Sequence, residues 1–345
     1  MKILIIGNLG YIGPVLLKHL SELGNIEVVG IDTGYFAHCL TTSTRFPEFG
    51  LQEQRFKDVR NMEESDFYGI DAVVYLAAIS NDPMGNEFES ATAEINQNCA
   101  VRTATLADQQ GVSHFVFASS CSIYGTAEGK RKETSPLNPL TAYSRSKIEA
   151  EKALQSLISE NFKITSLRFA TACGFSSRLR LDLVLNDFVA SAITKGEIEI
   201  LSDGSPWRPL IHVKDMALSI EWAINRSVGD FFLSINIGCD EWSYQIRNLA
   251  YAVSEIIPDT VVNINPDAQP DTRSYEVDFS LFKQLAPNHQ PKVTIEKAVI
   301  GLSEGLSEIN FMDTDFRKSK TLIRLNTLRD HCQSGRLDND LYWVQ

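Results

Sequence analysis

The apolar run Lys2–Gly7 opens the turn Gly7-Asn8-Leu9-Gly10-Tyr11-Ile12-Gly13, and a helically spaced stretch, Tyr11–Leu23, continues from it. An apolar run without polar alternation predicts a strand buried on both faces. Glycines at the turn from such a strand into a helix let the backbone bend sharply. They also let a ligand's phosphates approach the helix N-terminus, where free N–H groups and the helix dipole favour negative charge. The spacing is GxxGxxG, not the commoner GxGxxG, and by itself it would be a glycine-rich turn. Its setting says more. Asp32 ends the next apolar run, Glu27–Asp32, about 20 residues on, where a dinucleotide site places a carboxylate for the adenosine ribose hydroxyls. That carboxylate repels a 2′-phosphate, and Thr33–Phe36 holds no Arg or Lys, so NAD is expected over NADP.

The alternation continues. Strands are predicted at Ala72–Ala78, His114–Ser119 and Ile164–Phe169, with helices over 91–110 and 143–160. Strand and helix in repetition imply right-handed crossovers and a parallel, doubly wound α/β sheet. After about residue 170 the rhythm loosens into short strands, helices and Pro-containing loops. The expectation is a dinucleotide-binding domain over 1–170. A smaller mixed α/β substrate lobe over 171–345 folds back on it and interleaves with it. The stretch from Phe311 suggests no role.

Composition removes several classes of function. The formal net charge is −12, which argues against a nucleic-acid surface, since that needs a basic stripe. The six cysteines, Cys39, Cys99, Cys121, Cys173, Cys239 and Cys332, include no CxxC pair, so no metal site is expected and the scatter suits a reducing cytoplasm. No apolar run has the length of a membrane span, and the first strand starts too early to follow a signal peptide. A cytoplasmic protein without membrane contact is expected.

A second motif carries chemistry. Tyr143-Ser144-Arg145-Ser146-Lys147 opens a predicted helix, and residues at i and i+4 share a helix face. An ammonium beside a phenol stabilises the phenolate, which makes Tyr143 a usable base for a hydroxyl proton. Lys147 can also reach the nicotinamide ribose. Ser120, at the end of an apolar strand, can hydrogen-bond the same hydroxyl as Tyr143.

Together these residues, with Leu76-Ala77-Ala78, Asn96 and Ser119-Ser120-Cys121-Ser122-Ile123-Tyr124-Gly125, resemble the extended short-chain dehydrogenase/reductases. The closer resemblance is to the NAD-dependent epimerase/dehydratase branch acting on nucleotide sugars. It implies a Rossmann-type sheet, NAD, a nucleoside-diphosphate sugar substrate and a homodimer. It also implies Asp58 and Val59 at the adenine, Leu76, Ala77 and Ala78 along the cofactor, and Asn96 buttressing the serine strand. Arg208 is the expected diphosphate ligand, with Arg178, Arg180 and Arg273 either adding to it or forming surface ion pairs. Thr171 stands where the family often has an Asn, and His212 reads as structural.

The resemblance also bears on the reaction. Sugar-nucleotide 4,6-dehydratases carry Asp-Glu after the catalytic Ser or Thr; this chain has Cys121-Ser122. A serine is a poor base, so ordinary dehydration is disfavoured, and Ser122 is expected to contact substrate. Cys121 is either a packing residue or an acid–base group for C3 or C5 epimerisation. The expected activity is epimerisation through a transient 4-keto sugar. A net dehydrogenase or 4-keto reductase is the alternative. A dehydratase and a non-catalytic NAD sensor rank lower.

Overall fold

The computed structural model describes residues 1–41, 46–157, 159–226, 230–265, 268 and 273–344. At its centre is a seven-stranded parallel sheet. In chain order its strands are β1 (Lys2–Ile6), β2 (Glu27–Asp32), β3 (Glu53–Phe56), β4 (Ala72–Tyr75), β5 (His114–Ser120), β6 (Lys163–Phe169) and β7 (Phe232–Ile237). Their spatial order is β7-β6-β5-β4-β1-β2-β3. The strand order reverses between β1 and β4, so the connections after these two strands leave to opposite sides and open a crevice at the carboxyl edge.

The residues of β1 explain its burial. Ile3 and Ile5 face a layer that includes Leu16, Leu20 and Ile220. Leu4 and Ile6 face the opposite layer, with Ala100, Ala104 and Leu154. Both faces are covered, so no polar alternation is possible. A third apolar cluster, including Leu185, Val189, Leu210, Leu249 and Leu302, forms the core of the smaller lobe. Two pieces of the second half of the chain nevertheless belong to the first. Strand β7 pairs in register with β6, and Leu328, Leu337 and Leu341 pack in the same layer as Leu4 and Ile6. No helix among the described residues is long and apolar enough to cross a membrane.

The predicted helix over 91–110 is a continuous run. It has α-helical turns at Glu89–Ala93 and Cys99–Gln109 around a wider π-turn at Glu94–Asn98. The predicted helix over 143–160 spans Ala142–Gln155, with Thr141 as its cap: the Thr141 hydroxyl accepts from the Ser144 N–H at 3.2 Å.

Two glycines of the opening loop are required for different reasons. Gly7 has φ +89°, and a Cβ there would sit 2.5 Å from the Ala77 nitrogen. Gly13 has an ordinary φ, but its Cβ would lie 1.9 Å from the Asn8 carbonyl oxygen. The first glycine fits the loop between β1 and β4; the third lets the following helix, Gly13–Glu22, start directly beneath the loop. Gly13→Ala therefore forces the Asn8 backbone to move. Its expected cost exceeds ~1 kcal/mol, read as a lower midpoint in urea unfolding. An unchanged midpoint would contradict this packing.

Candidate active site

The carboxyl edge of the sheet opens into a cleft of about 840 Å³, near the upper end of the usual ~300–1,000 Å³ for small-molecule sites. Every strand from β1 to β6 delivers residues to it. Gly7, Gly10, Tyr11 and Ile12 come from the β1 turn, Asp32 from β2, Asp58 and Val59 after β3, and Leu76, Ala77 and Ala78 after β4. Ser120 and Ser122 follow from β5 and Thr171 from beyond β6.

At the nucleotide end, Asp32 ties the loops together. It accepts from the Leu9 N–H at 3.0 Å and from the Gly34 N–H at 2.7 Å. Burial raises its pKa, and these two bonds pull it back down. A carboxylate has further lone pairs for ribose hydroxyls. Asp58 is gripped by Arg60 at 2.6 Å, which fixes its orientation beside the cleft. The close seat of Gly7 on Ala77, the open helix N-terminus and the Asp32 carboxylate all fit a dinucleotide.

At the reaction end, the helix Ala142–Gln155 carries Tyr143 and Lys147 one turn apart, both lining the cleft with Ser120. Lys147 donates to the Ala118 carbonyl at 2.7 Å, and its ammonium lies 5.7 Å from the Tyr143 ring centre. Burial pushes Tyr143 up to about 12, while the hydrogen bond with Ser120 draws it down. Burial pushes Lys147 down to about 7, and Glu151, one turn further on, pulls it back up. Glu151 is itself buried. It takes Arg168 of β6 at 2.7 Å and accepts from Ser119 at 2.5 Å, Ser166 at 2.9 Å and Ser234 at 3.2 Å. The Ser122 hydroxyl oxygen is buried in the cleft wall without a hydrogen-bond partner. A ligand hydroxyl would satisfy it.

Four expectations are corrected in placement. Cys121 is fully buried and turned away from the cleft; its thiol donates to the Arg168 carbonyl, and burial raises its pKa far above neutral. Asn96 holds the turn after β4, not the serine strand: it accepts from the Ile79 N–H at 2.8 Å and donates to the Ile79 carbonyl at 3.0 Å. Arg178 does not reach the cleft; it is buried against Glu48 at 2.6 Å. Gly13 lies below the cleft, in the loop-to-helix packing described above.

The other arginines do line the cleft, each with a protein partner. Arg180 is held by Asp182 through two bonds of 2.9 Å. Arg208 donates to the Trp207 carbonyl at 2.9 Å and to the Arg273 carbonyl. Arg273 pairs with Asp82 at 2.6 Å. His212 caps the helix Val213–Asn225, accepting from the Lys214 N–H at 3.1 Å.

Sequence reasoning missed Asp82, Asp182, Tyr275, Arg317 and Arg324, all on the cleft wall. The Asn81-Asp82-Pro83 string is a helix-start signal, and Asn81 does cap Asp82–Glu87. That signal locates a helix, not a cleft. The other four carry no motif.

The placement of Cys121 has a direct test. Native protein treated with a small thiol-alkylating reagent and mapped by mass spectrometry should carry no label on Cys121, with label on the partly exposed Cys239 and Cys332. Rapid modification of Cys121 in the folded protein would contradict its burial.

Comparison with known proteins identifies the family. Residues 3–238 match the model of the NAD dependent epimerase/dehydratase family. An uncharacterized UDP-glucose epimerase, YtcB of Bacillus subtilis, is 28% identical over 249 residues, covering 69% of this chain and 77% of that protein. Among solved structures, the NDP-hexosamine 5,6-dehydratase TunA of tunicamycin biosynthesis has a TM-score of 0.76 at 23% identity, covering 91% of this chain and 99% of that one. The UDP-glucuronic acid 4-epimerase of Bacillus cereus, solved with UDP-glucuronic acid and NAD, has a TM-score of 0.73 at 21% identity, covering 90% and 100%. At those identities the structural likeness speaks for the fold; the match over 3–238 decides the family. The chain belongs to the NAD-dependent epimerase/dehydratase family.

Proposed function

We propose that the protein is an NAD-dependent epimerase of nucleoside-diphosphate sugars that inverts C4 through a transient 4-keto sugar. One observation carries the reading. Ser120, Tyr143 and Lys147 converge on the cleft, while the residue after Ser120 is withdrawn into the core and the next is a serine. The site thus has a proton acceptor for a hydroxyl but no thiol or carboxylate directly after Ser120 to work on C3 or C5.

NAD, held by the glycine turn and Asp32, would supply a hydride acceptor and a cationic pyridinium ring. That positive charge favours the tyrosinate, as does Lys147 when protonated. Tyr143 would take the proton of the C4 hydroxyl while Ser120 hydrogen-bonds the same oxygen. Tyr143 would then hold that proton for return to the same oxygen when C4 is reduced again. Arg208 and Arg273 are the proposed diphosphate ligands, since a guanidinium forks onto phosphate oxygens. Asp82 is a carboxylate on the same wall, but it is engaged by Thr141 at 2.7 Å and by Arg273 at 2.6 Å. Those bonds suit a positioning role better than removal of a C5 proton. The curated UDP-glucose 4-epimerase of Streptococcus mutans, of which this chain spans about half (53%) at 28% identity, makes UDP-sugars the first substrates to try.

The test is a panel of nucleotide sugars incubated in deuterated water without added NAD, read by mass spectrometry and NMR. The expected product is a C4 epimer without solvent deuterium. Deuterium at C3 or C5, loss of water, or a stoichiometric requirement for NAD would each overturn the reading.

A further inference from the structure

Residues beyond Phe311 lie outside the stretch matched by the family. In the structure they run back across the nucleotide end of the cleft. Trp343 donates to the Thr33 carbonyl at 2.8 Å and to its hydroxyl at 3.0 Å. His331 Nε2 lies 2.9 Å from the Tyr35 carbonyl, and the Tyr35 hydroxyl donates to the Leu341 carbonyl. Arg60, while gripping Asp58, donates to the Asp340 carbonyl at 2.7 Å and the Leu341 carbonyl at 2.9 Å, with the Tyr342 ring centre 3.3 Å from its guanidinium carbon. Thr33, Tyr35 and Asp58 form the cleft wall around Asp32. All three are therefore braced from behind by the segment 331–343, Asp58 through Arg60.

Arg324 opens the helix Arg324–Gln333 and reaches the cleft wall itself. It is 1% exposed, donates to the Thr321 carbonyl at 2.6 Å and the Arg178 carbonyl at 2.9 Å, and stands 5.0 Å over the Phe36 ring. Among the described residues it makes no ion pair. The titratable groups acting on it are Cys39, Arg180, Asp182 and Arg178; Asp182 is already engaged by Arg180, and Arg178 by Glu48. A fully buried guanidinium without an ion pair of its own is costly unless an anion completes it. The loop whose Arg178 carbonyl it bonds sits over the glycine turn: Ser176 donates to the Tyr11 carbonyl at 2.7 Å, and Asn186, on the following helix, joins the Tyr11 hydroxyl at 3.2 Å to the Arg180 carbonyl at 2.8 Å. The group that the glycine turn and its helix N-terminus attract is a diphosphate.

We propose that Arg324 binds the diphosphate of the dinucleotide cofactor, and that the segment carrying it braces the adenosine pocket as part of the cofactor site. The proposal rests on the family's use of NAD and is independent of which carbon is inverted. The segment would slow the escape of the cofactor, as an enzyme that recycles its oxidant requires.

Calorimetric titration tests it, with NAD and, separately, with UDP as the diphosphate of the substrate side. Arg324→Gln should weaken NAD by about tenfold or more while leaving UDP affinity within about threefold of wild type. Arg324→Lys, which keeps the charge and loses the fork, should fall between. Trp343 is 40% exposed, so Trp343→Ala should lower the unliganded melting temperature only modestly while shrinking the stabilisation that NAD confers. NAD affinity within about twofold of wild type in Arg324→Gln would overturn the phosphate role. Loss of UDP affinity with NAD affinity intact would overturn it equally. An undiminished NAD-induced shift in Trp343→Ala would overturn the brace.

Discussion

Glu151 is a buried carboxylate on the helix that carries Tyr143 and Lys147, and three strands converge on it. It takes Arg168 and Ser166 from β6, Ser119 from β5 and Ser234 from β7. Removing one partner of such a buried pair strands the other charge and costs roughly 3–5 kcal/mol. The cluster therefore fixes how the helix lies on the sheet. Lys147 then reaches the Ala118 carbonyl one residue before Ser119, and Tyr143 comes to the Ser120 hydroxyl. The same Arg168 extends the network to the Tyr124 hydroxyl at 3.1 Å, which donates to Asn236 at 2.7 Å. The Tyr143 end of the cleft is thus set by buried electrostatics beneath it, and the Asp32 end by close backbone contact at Gly7 and Gly13.

Those two constraints meet because the sheet reverses between β1 and β4. The turns after these strands part at that point, and a ligand can lie across the gap. The glycine turn lies at one end of the gap and the β5 turn with the Tyr–Lys helix at the other. Arg180, Arg208 and Arg273 line the smaller lobe's side of the cleft, each with a protein partner already in place. Their positions are therefore set before an anion arrives, which lowers the cost of ordering them on binding.

The central strands could be read from the chain because they are covered on both faces, which leaves continuous apolar runs. Strand β3, Glu-Gln-Arg-Phe, could not: it is a short, largely exposed edge strand. Strand β7 returns to the sheet from the second half, after the alternation has lapsed. The glycine loop, Asp32, Ser120, Tyr143 and Lys147 were legible because each motif is local. Cys121 shows the limit of locality. It adjoins Ser120 in the chain, but in the tight turn after β5, Ser120 and Ser122 face the cleft while Cys121 faces the core. Arg178 and Arg180 divide in the same way, one to Glu48 and one to the cleft. Asp82, Tyr275 and Arg324 reach the site only through tertiary folding, so no spacing announces them.

The central claim is that Tyr143, beside Ser120 and Lys147, drives a redox step on a sugar hydroxyl. The most direct measurement is the 340 nm absorbance of the NAD-loaded enzyme after rapid mixing with a nucleotide sugar that it turns over. The account predicts a transient rise in the wild-type protein. In Tyr143→Phe the rise should be slowed by roughly 10²–10⁴-fold, with NAD still bound. A rise of the same rate in Tyr143→Phe would contradict it.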